Sequence, residues 1–214
     1  MVERILVVVA HSDDQMIGPG GTLRKYALEG KEVHTVIFSF GELSHPHFKK
    51  EVIQQVRVEE SEKADRFIGG KGVTFLGLKE GKFQEEFKPK ELEEILLKLK
   101  PKKIFTHAED ENHPDHVVVN KLLLELYDKL HVQKKLTSDI YSFDIWRIFQ
   151  TKKRINPKMV VDISETFFDK LKAIEYFKSQ RVALVMLKWS VYLKAFVAGF
   201  LHNTRFGEVF DKIR

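Results

Sequence analysis

The sequence predicts an α/β protein: a mostly parallel sheet with helices on both faces. Two observations carry that expectation. Strand-like runs alternate with segments whose apolar residues recur every 3.6 residues, the βαβα order of a parallel sheet. The first run, Ile5-Leu6-Val7-Val8-Val9-Ala10, is apolar throughout, as in a strand buried on both faces. At 214 residues the chain suits one domain spanning 1–214.

The elements follow in order. Residues 4–10 form the first strand, and 19–28 a helix with Gly30 as its C-terminal stop. Residues 33–40, rich in β-branched and aromatic side chains, form the second strand. A long helix over 49–68 places 52, 53, 56, 64, 67 and 68 on one face, and Gly69-Gly70 ends it. A short strand at 73–78 precedes a helix over 90–99, which aligns Leu92, Ile95, Leu96 and Leu99 and stops at Pro101. Then come a strand at 103–106, a helix over 116–130, and strands at 140–145 and 159–163. Ser164 is the expected N-cap of a helix over 165–179. The last helix spans 181–201 and has little polar face, so it is buried in the core or in a contact within a homo-oligomer. Lys188 and Lys194 interrupt its apolar run, which argues against a membrane span. The stretch 40–48, with Gly41, Pro46, His45 and His47, follows the second strand and is a candidate substrate loop.

Composition narrows the chemistry. Hydrophobic residues make up 43% and charged residues 31%, values of a folded soluble chain. The net charge of +5 is spread over 36 basic and 31 acidic residues, without the dense basic stripe of a nucleic-acid partner. No Cys is present, which removes thiolate nucleophiles and Cys-ligated metals and leaves His and carboxylates as metal donors. The N-terminal residues lack a secretory layout, so the expected compartment is the cytoplasm.

Two clusters carry the chemistry. His11-Ser12-Asp13-Asp14 stands directly behind the first strand, and His113-Pro114-Asp115-His116 behind the strand at 103–106. Carboxyl ends of strands are where open α/β sheets bind ligands. His11, Asp14 and His116 match the three-ligand pattern of a catalytic zinc with an open position. Such a metal lowers the pKa of bound water from about 15.7 toward about 7. Iron, cobalt or manganese would also accept these donors. Asp13, unligated beside that water, suits a general base. His113 suits protonation of a leaving amine or stabilisation of an oxyanion, with Asp115 to orient it. Pro114 fits the first turn of a helix whose positive end favours a developing anion. Either cluster alone is an ordinary helix start; their conjunction points to a metal.

Gly18-Pro19-Gly20-Gly21 invites a nucleotide-binding reading, but the spacing is not G-x-G-x-x-G and two carboxylates precede it. A close-packed turn into the helix accounts for it better.

At these residues the chain resembles the PIG-L/LmbE family of zinc-dependent N-deacetylases. Its A-H-P-D-D-E signature stands as Ala10-His11-Ser12-Asp13-Asp14-Gln15, its G-x-G-G-T-L as Gly18 to Leu23, and its H-P-D-H is intact at 113–116. Arg57, Glu60, Ala64 and Gly69 resemble a further pattern, as do Lys172-Ala173, Ser179-Gln180 and Glu208-Val209-Phe210 near the end. The resemblance implies a Rossmann-like fold and removal of an N-acetyl group from a small N-acetylglucosamine-type sugar or its conjugate. It implies Zn2+ held by His11, Asp14 and His116, Asp13 as base, His113 with Asp115 as acid or oxyanion partner, and Arg57 against substrate.

Ser12 replaces Pro, Gln15 replaces a Glu that is not among the implied metal ligands but supports them, Phe177 stands for a His, and His107 for a Pro. Gln15 keeps a hydrogen bond but not the charge, which lowers metal affinity. Trp146, Trp189, Phe48 and Phe83 are available to stack on a sugar. The substitutions at 15 and 177 motivate an alternative, a catalytically weakened sugar-binding or scaffold protein on the same fold.

Overall fold

The computed structural model describes residues 2–41, 50–147 and 155–214, with backbone alone at 182 and 183. The candidate loop at 40–48 therefore lies largely outside the described residues. Strands β1 (Arg4–Val9), β2 (Glu32–Ile37), β3 (Val73–Phe75), β4 (Lys103–His107), β5 (Asp139–Phe143), β6 (Lys158–Asp162) and β7 (Gly207–Lys212) form one sheet. Its order is β3-β2-β1-β4-β5-β7-β6. Pairing is parallel from β3 through β5, and β7 runs antiparallel to both β5 and β6.

The helices are α1 (Asp14–Ile17), α2 (Gly20–Leu28), α3 (Lys50–Ile68), α4 (Phe83–Glu86), α5 (Pro89–Leu99), α6 (Pro114–Val132), α7 (Phe167–Ile174) and α8 (Arg181–Leu201). They cover both faces, and β1 shows how. Its side chains alternate across the sheet, as a strand's must. Ile5, Val7 and Val9 enter one core with residues of α2, α3, α7 and α8. Leu6 and Val8 enter the other, against α5 and α6. That two-sided burial is why the run is apolar at every position.

The order of strands positions the site. From β1 the chain moves outward through β2 and β3, then returns to β4 on the opposite side of β1. The carboxyl ends of β1 and β4 therefore flank the point where the order reverses, and a crevice opens there. The residues after β1 and β4 include both His/Asp clusters.

Three expectations change. The helix expected over 165–179 is only α7, and Thr166 rather than Ser164 occupies its N-cap. Ser164 instead donates to Asp162 Oδ1 at 2.6 Å and accepts the N–H groups of Arg205 and Phe206, clasping the end of β6 to the chain entering β7. The strand β7 is not among the elements read from sequence. The glycine run packs tightly as expected, and the reason is specific. Glu208 of β7 accepts the N–H groups of Gly21 and Thr22 at 3.0 and 2.8 Å, so a carboxylate already occupies the N-terminus of α2. A nucleotide phosphate has no room there. A Cβ on Gly21 would lie 2.7 Å from Ile163 Cδ1.

Candidate metal centre and active site

The site is built from two strand ends. After β1 the chain turns sharply because Asp14 Oδ2 accepts the His11 N–H at 2.8 Å, and the Asp13 carbonyl accepts from Met16 and Ile17 to start α1. Across the crevice, His107 ends β4, and its Nε2 accepts the Ala10 N–H at 3.1 Å. Beyond it, His113 caps α6 by accepting the Asp115 N–H on Nδ1, with Pro114 in the first turn. This brings His113, Asp115 and His116 over the turn after β1.

Asp14 Oδ2 is the focus. It lies 3.2 Å from His107 Nε2, 3.4 Å from His116 Nε2 and 3.5 Å from His11 Nδ1. The rings of His107 and His116 stack at 3.8 Å. Donor atoms converge within 4.8 Å in two sets, Asp14 with His107 and His116, and His11 with His113 and His116. His116 belongs to both. The His107 nitrogen that accepts from Ala10 carries no proton, so it cannot donate to Asp14 Oδ2 beside it. A lone pair and a carboxylate oxygen meet there, 3.2 Å apart, with no proton between them, the donor chemistry that a cation fits. Behind His116, Glu111 Oε2 stands 3.9 Å from Nδ1, the kind of carboxylate that orients a metal-binding imidazole.

The expected trio of His11, Asp14 and His116 shares this cleft, but His11 is turned. Its Nδ1 faces Asp14, while its Nε2 meets Asp115 Oδ2 at 3.2 Å and Glu80 Oε1 at 3.7 Å. Burial opposes charge on His11, yet Asp115 and Asp14 override it and raise the imidazole to about 10. The Asp115 carboxylate thus engages His11 and the Gly81 N–H, not the His113 ring it was expected to orient. Gln15 is fully buried, and among the described residues neither end of its amide has a hydrogen-bond partner, in place of the hydrogen bond expected of it.

Electrostatics separate the two neighbouring aspartates. Burial and the Asp14 charge push Asp13 up to about 7, against the pull of Arg57. Burial also opposes the charge on Asp14, but His116 and His107 hold it well below the usual carboxylate range. Burial and the adjacent His116 lower His107 to about 4.

A cavity of about 520 Å3 opens above His11, Asp13 and His116, walled by Arg57, Glu80 and Trp146. Arg57 is fully buried at its edge, and its neighbour Glu60 accepts from the N–H and hydroxyl of Ser179. Of the other stacking candidates, Phe83 is core, Trp189 lies on the outer face of α8, and Phe48 is outside the described residues. Phe177 is also core.

Comparison with known proteins supplies the decisive observation: the PIG-L profile, described as GlcNAc-PI de-N-acetylase, matches residues 6–127, over half of the chain. The chain belongs to the PIG-L family. It is 26% identical over 198 residues to a probable N-acetyl-alpha-D-glucosaminyl L-malate deacetylase 2 of Bacillus cereus, covering 86% of this chain and 87% of that protein. An N,N'-diacetylchitobiose deacetylase from Pyrococcus horikoshii superposes with a TM-score of 0.75 at 25% identity, over 97% of this chain and 82% of that one. GalB, the 4-carboxy-2-hydroxymuconate hydratase of Pseudomonas putida KT2440, superposes with a TM-score of 0.84 at 20% identity, over 100% and 97%. At that identity the likeness shows the fold alone. The Bacillus and Pyrococcus relatives are both named as deacetylases, and neither favours the scaffold alternative.

Glu111 and Glu80 are the site residues that sequence reasoning missed, and His107 was noted only as standing for a Pro, not as a neighbour of Asp14 and His116. His107 is signalled by the same rule that found His11, since it too ends a strand at the reversal point. Glu111 sits in Glu109-Asp110-Glu111, which reads as a solvated acidic run. Glu80 has no local signal.

Proposed function

We propose that this PIG-L protein is a zinc-dependent N-deacetylase that hydrolyses the acetamide of an N-acetylglucosamine-type sugar or its conjugate. The observation that carries the reading is the convergence of imidazoles on Asp14 Oδ2, beside an Asp13 that lies in the same cavity and is pushed up to about 7 by burial and the Asp14 charge. The two deacetylase relatives support the substrate class, since both are named for acetylated glucosamine compounds.

We assign His11, Asp14 and His116 to hold the metal, with His107 beneath them and Glu111 behind His116. Zinc, when bound, supplies a Lewis acid for the acetyl carbonyl and lowers the pKa of water. Asp13 takes the proton of the attacking water and delivers it to the departing nitrogen, leaving acetate and a free amine. A carboxyl held near pH 7 is suited to both transfers. His113 donates to the oxyanion. Its Nδ1 accepts the Asp115 N–H, so the proton of the neutral ring sits on Nε2. Arg57 and Trp146 hold the sugar at the cavity wall.

The test is acetate release by Asp13→Asn with metal content measured in the same preparation. We expect a loss of about 10²–10⁴-fold with the metal retained. Full activity in the variant would contradict the role of Asp13.

A further inference from the structure

Helix α8 has two apolar faces, and only one of them is used. Leu184, Leu187, Val191 and Ala195 are buried in the core. On the opposite side Met186, Trp189, Leu193, Phe196 and Phe200 are exposed, at 80, 77, 41, 49 and 74%. Val185, Tyr192 and Leu201 flank them and are exposed as well. A helix apolar all round is one that is covered on both sides.

We propose that this stripe is a contact between two copies of the chain, with α8 of each laid on α8 of the other. Spacing is the first argument. The five residues are separated by three, four, three and four positions, the seam along which two helices interlock side by side. Area is the second. The exposed surface of these eight side chains is on the order of 800 Å2, what each partner contributes to a standard stable interface. Charge is the third. Lys188 is held by Glu175 at 2.8 Å, and Lys194 turns inward to the carbonyls of Asp144 and Ile145. Neither helix lysine lies in the stripe, so two copies meet without like-charge repulsion. A helix lying on an anionic bilayer would instead carry Lys and Arg on the face opposite its apolar one, and that face of α8 is core. The contact is isologous, the same patch on both partners. Met186 belongs both to the stripe and to the wall of the cavity above His11, so the second copy sits at the mouth of that cavity. The inference does not depend on which reaction the cavity carries out.

Sedimentation equilibrium of the full chain tests it. At micromolar concentration we expect twice the 25.0 kDa chain mass, and the monomer mass for the double variant Trp189→Glu, Phe196→Glu with an unchanged circular dichroism spectrum. A cross-linking arm does not depend on the fold of that variant. The chain has no Cys, so one introduced thiol reports cleanly. Leu193→Cys, at the midpoint of the stripe, should couple to a second copy through a short bis-maleimide, and Val132→Cys on α6 should not. A monomeric wild type, equal coupling at 132 and 193, or co-sedimentation of a monomer with phosphatidylcholine–phosphatidylglycerol vesicles would each overturn the proposal.

Discussion

Asp13 and Asp14 are adjacent in sequence yet held in opposite states. Burial and its charged neighbour bring Asp13 to about 7, whereas the imidazoles of His116 and His107 outweigh burial at Asp14 and keep it ionised. Two carboxylates pushed apart in this way divide into an acid–base group and a charge holder. As the proposed base, Asp13 must be ionised to act, so kcat/KM should rise with pH up to a plateau. A bound cation adds positive charge beside Asp13, which places the limb at or below about 7. A pH–rate profile checks this, and the limb should vanish in Asp13→Asn. His107 adds a second expectation at this scale. Its ring stacks on His116 and lies 3.2 Å from Asp14, so His107→Ala should weaken metal binding about 10–100-fold. Chelator competition measures this independently of turnover. Unchanged affinity would confine His107 to tying β4 to β1.

The N-terminus of α2 is where elements lock together. Glu208 of β7 caps it and also pairs with Lys170 of α7 at 2.6 Å, while Lys170 reaches the Gly18 carbonyl. Both partners are buried, so removing one charge strands the other. Glu208→Gln should cost about 3–5 kcal/mol of unfolding free energy, read from denaturant midpoints at constant slope. Little of this network was legible in the sequence. The apolar period of 49–68 and the Pro114 start located α3 and α6 because those signals are local. The strand β7 was missed because its six residues follow a 21-residue helix and insert antiparallel between β5 and β6, a pairing no local pattern encodes. Glu208 was visible only through its family motif, and its partner Lys170 lies 38 positions away.

For the whole molecule, the reversal of strand order at β1 and β4 both creates the crevice and decides which residues enter it. This is why the two His/Asp clusters could be placed from sequence while Glu80 and Glu111 could not. His11 and His116 follow strands that the apolar runs announce. Glu111 gains its meaning only from the β5 loop, where it accepts the Ile145 and Trp146 N–H groups. Burial opposes its charge, but His116 and those backbone donors lower Glu111 to about 2. A carboxyl whose folded pKa is depressed stabilises the fold above its unfolded value of about 4.5 and loses that contribution as pH falls toward 2. Glu111→Gln should therefore be less stable than wild type at neutral pH, and its metal-free stability should fall less steeply between about pH 4.5 and 2, as stability curves across that window would show.

The most direct test is acetate release from a panel of N-acetylated glucosamine compounds, with chelator, with added zinc, and with His116→Ala as the control. We expect release that chelation abolishes, zinc restores and the substitution eliminates. Release that is indifferent to chelation, or no release from a chain carrying stoichiometric metal, would contradict a metal-dependent deacetylase.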